Sequence, residues 1–455
     1  MTTAVLDERD TPTPAAAPGT YPVPPGRGRW RLTLHQRTYT DTLPATSVIA
    51  ELALARSRKL VQAWCTPATL TFTLDGLAPA AKYVQELTTE VVAWRWDDTA
   101  GVDVPMFRGP VVASEDDIDE QSHVVTFTCT DYLASLARRI FTTVTASASP
   151  LYDQDVQASV IVQTALTAAP SAGTPAFTPG CYLPFGTATG AAGGVGSVVP
   201  VNGDGSLRTV LSGAGRSVTF QGNAVCLTML DNLAKLAGGF DYDVAPFSAL
   251  CSANAAGTTD ALRIFYPSQG VVRSTPTLYF PGNVSVLTRS VTSADYANYW
   301  RSLGNNQNAA QNAAQVYGEA WTNDAIAGQA GAVGLWMSGG QGNADQTTLA
   351  NLQAAARGSL NVYSVLIPSY TLTLRPGFYY AGAFNMGDTL PLVIQSGRLQ
   401  VASIPPQGGL RVMGITYEPG DDGTETVTVT VGRSETDLAD LIGAQAADIR
   451  ALARR

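Results

Sequence analysis

Charge is what this 455-residue chain has least of: 14% of its residues are Asp, Glu, Lys or Arg, against about 25% in ordinary soluble proteins. Its surface must therefore be built mainly from Thr, Ser, Gln, Asn, Gly and Ala. Such a surface gives up few hydrated ions when subunits meet, so it suits extensive protein contact better than life as a free monomer. Histidine is scarce, with only His35 and His123, which leaves little for chemistry poised at neutral pH. Lysine is limited to Lys59, Lys82 and Lys235. Cys65, Cys129, Cys181, Cys226 and Cys251 form no C-x-x-C pair and have no histidine at zinc-ligand spacing. That argues against a metal site or a disulfide framework and for reduced, mostly buried thiols. No segment approaches the ~18 apolar residues of a membrane span, so no stable membrane insertion is expected. The acidic start of the chain lacks the basic and apolar regions of a signal peptide, so synthesis in a cytoplasm is expected.

Lys and Arg number 28 against 37 Asp and Glu, a formal net charge of −9. Duplex DNA and anionic membranes are on balance repelled, which disfavours specific nucleic-acid binding. At about 150 residues per domain the length corresponds to about three domains, or to one large β-rich body.

Residues 1–27, with Pro12, Pro14, Pro18, Pro22, Pro24 and Pro25, read as an extended arm. From Trp30 the hydrophobic period is two: Trp30, Leu32 and Leu34 alternate with Arg31, Thr33 and His35, which places His35 on a polar face. The alternation returns at Leu70–Leu74, Val92–Trp96 and Val125–Cys129. Residues 28–150 therefore read as a first antiparallel β unit, although Val48–Arg56 has helical propensity. Helices are expected at about 153–168 and over Leu227–Leu236, closed by Gly238-Gly239, with Asp231 and Lys235 on its exposed side. Between them, 170–222 is a Gly/Ala-rich insertion, so 151–295 forms a mixed middle domain. The stretch 305–342 reads as a second insertion. It leads into a helix over about 345–360 with Leu349, Leu352, Ala356 and Leu360 on one face, the whole spanning 296–364. Period two resumes at Tyr370, Leu390 and Val427, making 365–432 a second β unit with a turn at Asp421-Asp422-Gly423. In the tail, 433–455, Leu438, Ile442, Gln445, Ile449 and Leu452 fall at coiled-coil spacing. That pattern reads either as a seam between subunits or as an amphipathic helix on its own barrel.

The search for chemistry finds little. G-x-S-x-G, H-E-x-x-H and Walker loops are missing from the sequence, and no cofactor is implied. The cluster Glu115, Asp116, Asp117, Asp119 and Glu120 lacks the EF-hand order and reads as a solvated turn before a strand. Asp241 and Asp243, two apart in an expected strand and so on one face, are the best carboxylate pair for glycosidase-type chemistry, and a polar strand edge explains them equally well. Trp300, Trp321 and Trp336 suit either sugar stacking or core and interface packing.

Met106-Phe107-Arg108-Gly109-Pro110-Val111, then the run from His123 through Asp131-Tyr132 to Arg139, carry a resemblance. Further stretches follow in order: Ala55–Lys59, Thr71–Gly76, Leu233–Pro246, Leu262–Gly270, Tyr296–Gly304, Asn385–Leu390 and Arg411–Ile415. Together they resemble minor tail proteins of actinobacterial phages, of the siphophage baseplate-hub or tail-associated type. The resemblance implies a β-rich α+β fold with two tube-type antiparallel β-barrel domains flanking mixed middle domains. Phe107, Arg108, Gly109, Asp131, Tyr132 and Arg139 would be its structural motif. It also implies a homotrimer at the virion tail tip, meeting distal-tail or tail-tube ring proteins, the tape measure protein, and tip or fibre proteins, and passing DNA through an acidic lumen. No peptidase or lysozyme extension is expected beyond Arg455. The competing reading is a receptor- or cell-wall-binding tail protein with weak glycosidase-type activity.

Overall fold

The computed structural model describes residues 29–38, 45–97, 101–138, 140–141, 198–206, 224–234, 240–246, 260–266, 268–291, 296–304, 317–322, 337–343, 349–364, 368–376, 383–399, 401–404, 410–421 and 423–432. The Pro-rich arm, the helix expected at 153–168, Arg139, Trp336 and the seam from Leu438 to Leu452 lie outside them. The chain divides into two compact units, one built from residues up to Leu287 together with Leu372–Thr430, the other around Thr288–Thr371.

The first unit is organised by a twelve-stranded sheet. Its strands are β1 (Trp30–Thr38), β2 (Ala45–Glu51), β3 (Arg56–Ala63), β4 (Thr66–Asp75), β5 (Thr89–Asp97), β6 (Val102–Ile118) and β7 (His123–Thr130). From later in the chain come β14 (Val284–Ser290), β18 (Ser369–Leu374), β19 (Thr389–Leu390), β22 (Leu410–Pro419) and β23 (Glu425–Gly432). The order is β14-β18-β23-β22-β3-β4-β7-β6-β5-β1-β2, with β19 on β22. The two β regions of the sequence are thus joined in one sheet, because β22 pairs antiparallel with β3 (Thr416 opposite Val61). Among the described residues the end strands β14 and β2 do not pair with each other.

Period two builds this core as the sequence leads one to expect. Leu70, Phe72 and Leu74 of β4 and Val125, Phe127 and Cys129 of β7 are buried. Phe72 and Phe127 stack at 5.4 Å, each contributing on the order of 1.5–3 kcal/mol by burial. Val427, Val429 and Val431 do the same on β23.

Smaller elements surround the sheet. β9 (Val198–Asn202), β11 (Asp241–Ala245) and β12 (Ala261–Tyr266) form one three-stranded sheet. β13 (Leu278–Phe280), β20 (Leu392–Ile394) and β21 (Val401–Ile404) form another, and β8 (Ile140–Phe141) pairs with β10 (Ala224–Val225). Among the described residues the α-helices here are α1 (Leu133–Leu136) and α2 (Cys226–Ala234). In the second unit, β15 (Tyr299–Gly304) is flanked by β16 (Tyr317–Trp321) and β17 (Ser338–Asn343), with α3 (Leu349–Tyr363) packed on them. Trp300 stacks on Tyr363 at 4.6 Å and 6°. Gly318 lets the helix approach: a Cβ there would lie 2.2 Å from the Leu352 carbonyl carbon.

The strand reading of Val48–Arg56 holds against its helical propensity: the stretch is the end of β2, a turn and the start of β3, since pairing with β1 overrides local preference. Several other expectations are corrected. The stretch read as a second insertion supplies β16 and β17. Leu352, Ala356 and Leu360 of α3 are buried, whereas Leu349 is exposed. Glu115, Asp116 and Asp117 lie on β6 and not in a turn, because β6 stays paired with β7 as far as Ile118 opposite His123. Asp231 is half-buried and accepts the Tyr242 hydroxyl, while Lys235 lies outside the described residues. Trp300 is buried, while Trp321 is exposed.

His35 is buried rather than on a polar face. Trp94 Nε1 donates to Thr33 Oγ1 at 2.8 Å, and the same hydroxyl is hydrogen-bonded to His35 Nε2, also at 2.8 Å. Burial pushes the imidazole down to about 4, with Glu90 opposing and Arg108 and Arg31 adding.

Candidate functional site

The residues of the Phe107-Arg108-Gly109 and Asp131-Tyr132 stretches converge, because β6 and β7 are neighbours. Phe107 is in the core. A Cβ on Gly109 would lie 1.9 Å from the Thr130 carbonyl oxygen, so only glycine lets β6 pass the end of β7. Asp131 follows immediately: its carboxylate accepts from the Ala68 N–H at 2.8 Å and the Leu133 N–H at 3.1 Å, tying the start of α1 to β4. Burial pushes this carboxyl up to about 7, opposed by the Ala68, Ala134 and Leu133 N–H groups.

Arg108 is the centre of the cluster and is fully buried together with Glu90 and Asp260. Its Nε donates to Glu90 at 3.1 Å and its Nη1 to Asp260 at 3.0 Å. Its guanidinium lies 5.8 Å from the Tyr132 ring centroid, and the Tyr132 hydroxyl donates to Glu90. Burial lowers the guanidinium pKa, but Asp260 and then Glu90 more than reverse this, so the net shift is upward. β5, β6, α1 and Asp260 just before β12 are thereby joined through one cation.

His35 and Asp131 set opposite pH dependences. His35 titrates at about 4 folded against 6.5 unfolded, so its contribution is complete above 6.5 and is lost as pH falls to 4. Asp131 titrates at about 7 folded against 3.8 unfolded, so its contribution is complete below 3.8 and is lost as pH rises to 7. Each changes stability by about 1.4 kcal/mol per pH unit, so the two nearly cancel between pH 4 and 6.5. Relative to wild type, we predict a profile that falls toward acid in Asp131→Asn and one that rises toward acid in His35→Gln. Parallel urea-midpoint curves for the three proteins would refute this.

A second buried pair spans the sheet. Arg95 of β5 binds Glu425 of β23 through Nε at 3.0 Å and Nη2 at 2.7 Å, and Trp30 Nε1 donates to the same carboxylate at 2.8 Å. Sequence reasoning placed Val92, Trp94 and Trp96 inward; Arg95 is in fact buried, and Trp94 and Trp96 are half-buried. The missed signal lies in phase: Glu425 heads the buried series Val427, Val429, Val431, and Arg95 continues Val91 and Ala93.

Asp241 and Asp243 do share a face of β11, and arginines hold both. Asp241 is bound by Arg411 and by the Gln269 N–H at 2.6 Å. Burial pushes its carboxyl above the usual range, with Arg411 opposing. Asp243 is gripped by Arg263 through Nε at 2.7 Å and Nη2 at 2.6 Å, and by Gln269 Nε2 at 2.7 Å. Nearby, Asp388 accepts from Arg273 and from the Val271 N–H at 2.8 Å. A cleft of about 490 Å³ is lined by Asp243, Arg263, Arg273 and Asp388, with Asp204 and Cys65 at its sides. General acid–base work needs a carboxyl free to hand a proton to substrate; these carboxylates serve to join β11, the Gln269 segment and β22.

Threonine dominates the face of the large sheet that β4 and β7 turn away from the core. Thr69 opposes Thr130, Thr71 opposes Thr128 and Thr73 opposes Thr126 across β4 and β7. Val61 of β3 stands opposite Thr69 and Thr416, and Thr373 and Thr428 hydroxyls meet at 3.4 Å. Lys59 on this face is paired with Glu418 at 2.8 Å. Arg56 opposite Thr73, and Asp75, Glu115 and Asp117 toward the β6–β7 end, also carry charge on it.

These features define a β-rich framework in which buried charges bind strands to one another. Its fold is shared with solved structures. One is the 43 kDa tail protein of prophage MuSo2 from Shewanella oneidensis, at a TM-score of 0.52 and 9% identity over 90% of this chain and 99% of that one. Another is a tail protein from Neisseria meningitidis MC58, at 0.50 and 11% over 90% and 98%. No family model matches the chain, and no curated protein matches it.

Proposed function

We propose that this chain is a structural subunit of a phage tail baseplate: a homotrimeric hub at the tail tip, without enzymatic activity, that continues the tail-tube channel. The observation that carries the reading is the threonine-paired sheet face, on which Lys59 is neutralised by Glu418 and carboxylates gather toward the hairpin end. On a wall where carboxylates outnumber cations and Lys59 is already paired, phosphates find few fixed cations to exchange counterions with, so DNA slides past it. The fold shared with two tail proteins over nine-tenths of the chain supports the same reading. In it, 28–150 and 365–432 supply two tube-type barrels per subunit. Distal-tail or tube-ring proteins and the tape measure protein are the neighbours above, and tip or fibre proteins lie below. The lumen is weakly acidic, and Leu438, Ile442, Gln445, Ile449 and Leu452 form a seam between subunits.

Native mass spectrometry should give a trimer, and cryo-electron microscopy of the particle should place the chain on the tail axis. Thr71→Arg with Thr128→Arg, cross-strand neighbours, should leave tails assembled and slow DNA release. A monomer in solution and an off-axis position in the tail would overturn the proposal. An unchanged trimer in Ile449→Asp would remove the seam alone.

A further inference from the structure

The second unit carries a polar and aromatic face that none of these roles uses. Register places Tyr299 between Trp321 and Ser338, Arg301 between Glu319 and Gly340, and Leu303 between Tyr317 and Gly342, in three rows on one face. The other face holds Trp300 and Ala320 against α3. Trp321 is 56% exposed and Tyr317 44%, so aromatic rings at both ends of the array meet solvent. Between them Glu319 accepts from the Tyr299 hydroxyl and from Arg301 Nη2 at 2.7 Å. The Arg301 guanidinium lies over the Tyr317 ring at 4.2 Å. Those two donors, Tyr299 first, hold the Glu319 carboxyl below its usual range. Beside the rows a hollow of about 450 Å³ is floored by Tyr299, Arg301, Leu303, Ser338, Gly339 and Gly340.

We propose that this face binds a neutral carbohydrate chain. The C–H faces of a pyranose ring pack on the electron-rich face of an aromatic ring, and its hydroxyls need fixed donors and acceptors alongside. Trp321 supplies the first, and the Arg301–Glu319 pair the second. From Tyr299 to Leu303 the rows span about 13 Å, room for more than one sugar ring. A protein-binding patch has the opposite plan, with an apolar centre and charge at the rim; here the ion pair is central and the aromatics flank it. Because Glu319 neutralises Arg301, the face offers no free cation to a phosphate or an anionic polymer.

The test is titration of the full-length protein with cellohexaose, maltohexaose, mannohexaose and polysaccharide released from bacterial cell walls, followed by tryptophan fluorescence and calorimetry. At least one of these should bind. Trp321→Ala should weaken it by about tenfold or more, with an unchanged urea midpoint. Gly340→Leu should weaken it similarly by filling the hollow, since a Cβ at Gly340 meets nothing closer than the Arg301 carbonyl oxygen at 3.5 Å. Failure of the folded wild type to bind any of them would overturn the proposal. So would wild-type affinity in both variants, or a Trp321→Ala protein that still binds sugar but no longer enters tails, which would assign the face to a protein neighbour.

Discussion

Arg108→Met should lower the stability of the first unit by about 3–5 kcal/mol, enough to leave much of the protein unfolded or insoluble. The substitution keeps most of the side-chain volume but leaves Glu90 and Asp260, both fully buried, without the cation between them. Removing one member of a buried ion cluster is far worse than never having built it, because the remaining charges cannot recover their hydration. Arg108→Lys should rescue only partly, since one ammonium cannot reproduce the forked geometry that reaches Glu90 and Asp260 from different nitrogens. Lys59→Ala is the control: the exposed Lys59–Glu418 pair should be worth about 1 kcal/mol or less. Urea midpoints, and soluble yield where the variant does not fold, decide the matter. Equal effects for Arg108→Met and Lys59→Ala would show that the buried cluster is not what holds β5, β6 and Asp260 together.

The second large effect concerns the link between the early and late parts of the chain. Arg95→Met and Glu425→Met should each destabilise by about 3–5 kcal/mol, whereas the double variant should lie within about 1–2 kcal/mol of wild type, because a matched apolar pair avoids desolvating either ion. Trp30 Nε1, which donates to Glu425, sets the residual loss. Additive single effects would mean that the two side chains do not depend on one another and that β5 and β23 are held by backbone pairing elsewhere in the sheet.

Much of the β framework was legible in advance. The alternations at Leu70–Leu74, Val125–Cys129 and Val427–Val431 are strands with those side chains inside, because period two and strand geometry are the same fact. Phe107-Arg108-Gly109 and Asp131-Tyr132 were grouped by resemblance alone; that they meet in space, around a cation shared with Glu90 and Asp260, could not be read from the sequence. Asp260 lies 152 positions from Arg108, and local pattern carries nothing about so distant a partner. His35 misled for a related reason: alternation says which side chains share a face, not whether that face is later covered. The stretch Asn305–Gly342 was read as an insertion because glycine, asparagine and alanine are weak strand formers, yet β16 and β17 form there against the strong strand β15.

The order of apolar and polar residues was therefore sufficient to determine a β-rich chain with sparse charge and a threonine-lined sheet, since those properties depend on neighbours one or two residues away. Tertiary structure alone decided which charges are buried, that β3 and β22 unite the early and late strands in one sheet, that Asp241 and Asp243 are held by Arg411 and Arg263, and that Trp321 and Tyr317 face solvent beside Arg301 and Glu319. Each of these depends on an encounter between segments far apart in the chain. The free energy of a charge or an aromatic ring is set by what surrounds it, and that is known only once the chain has folded.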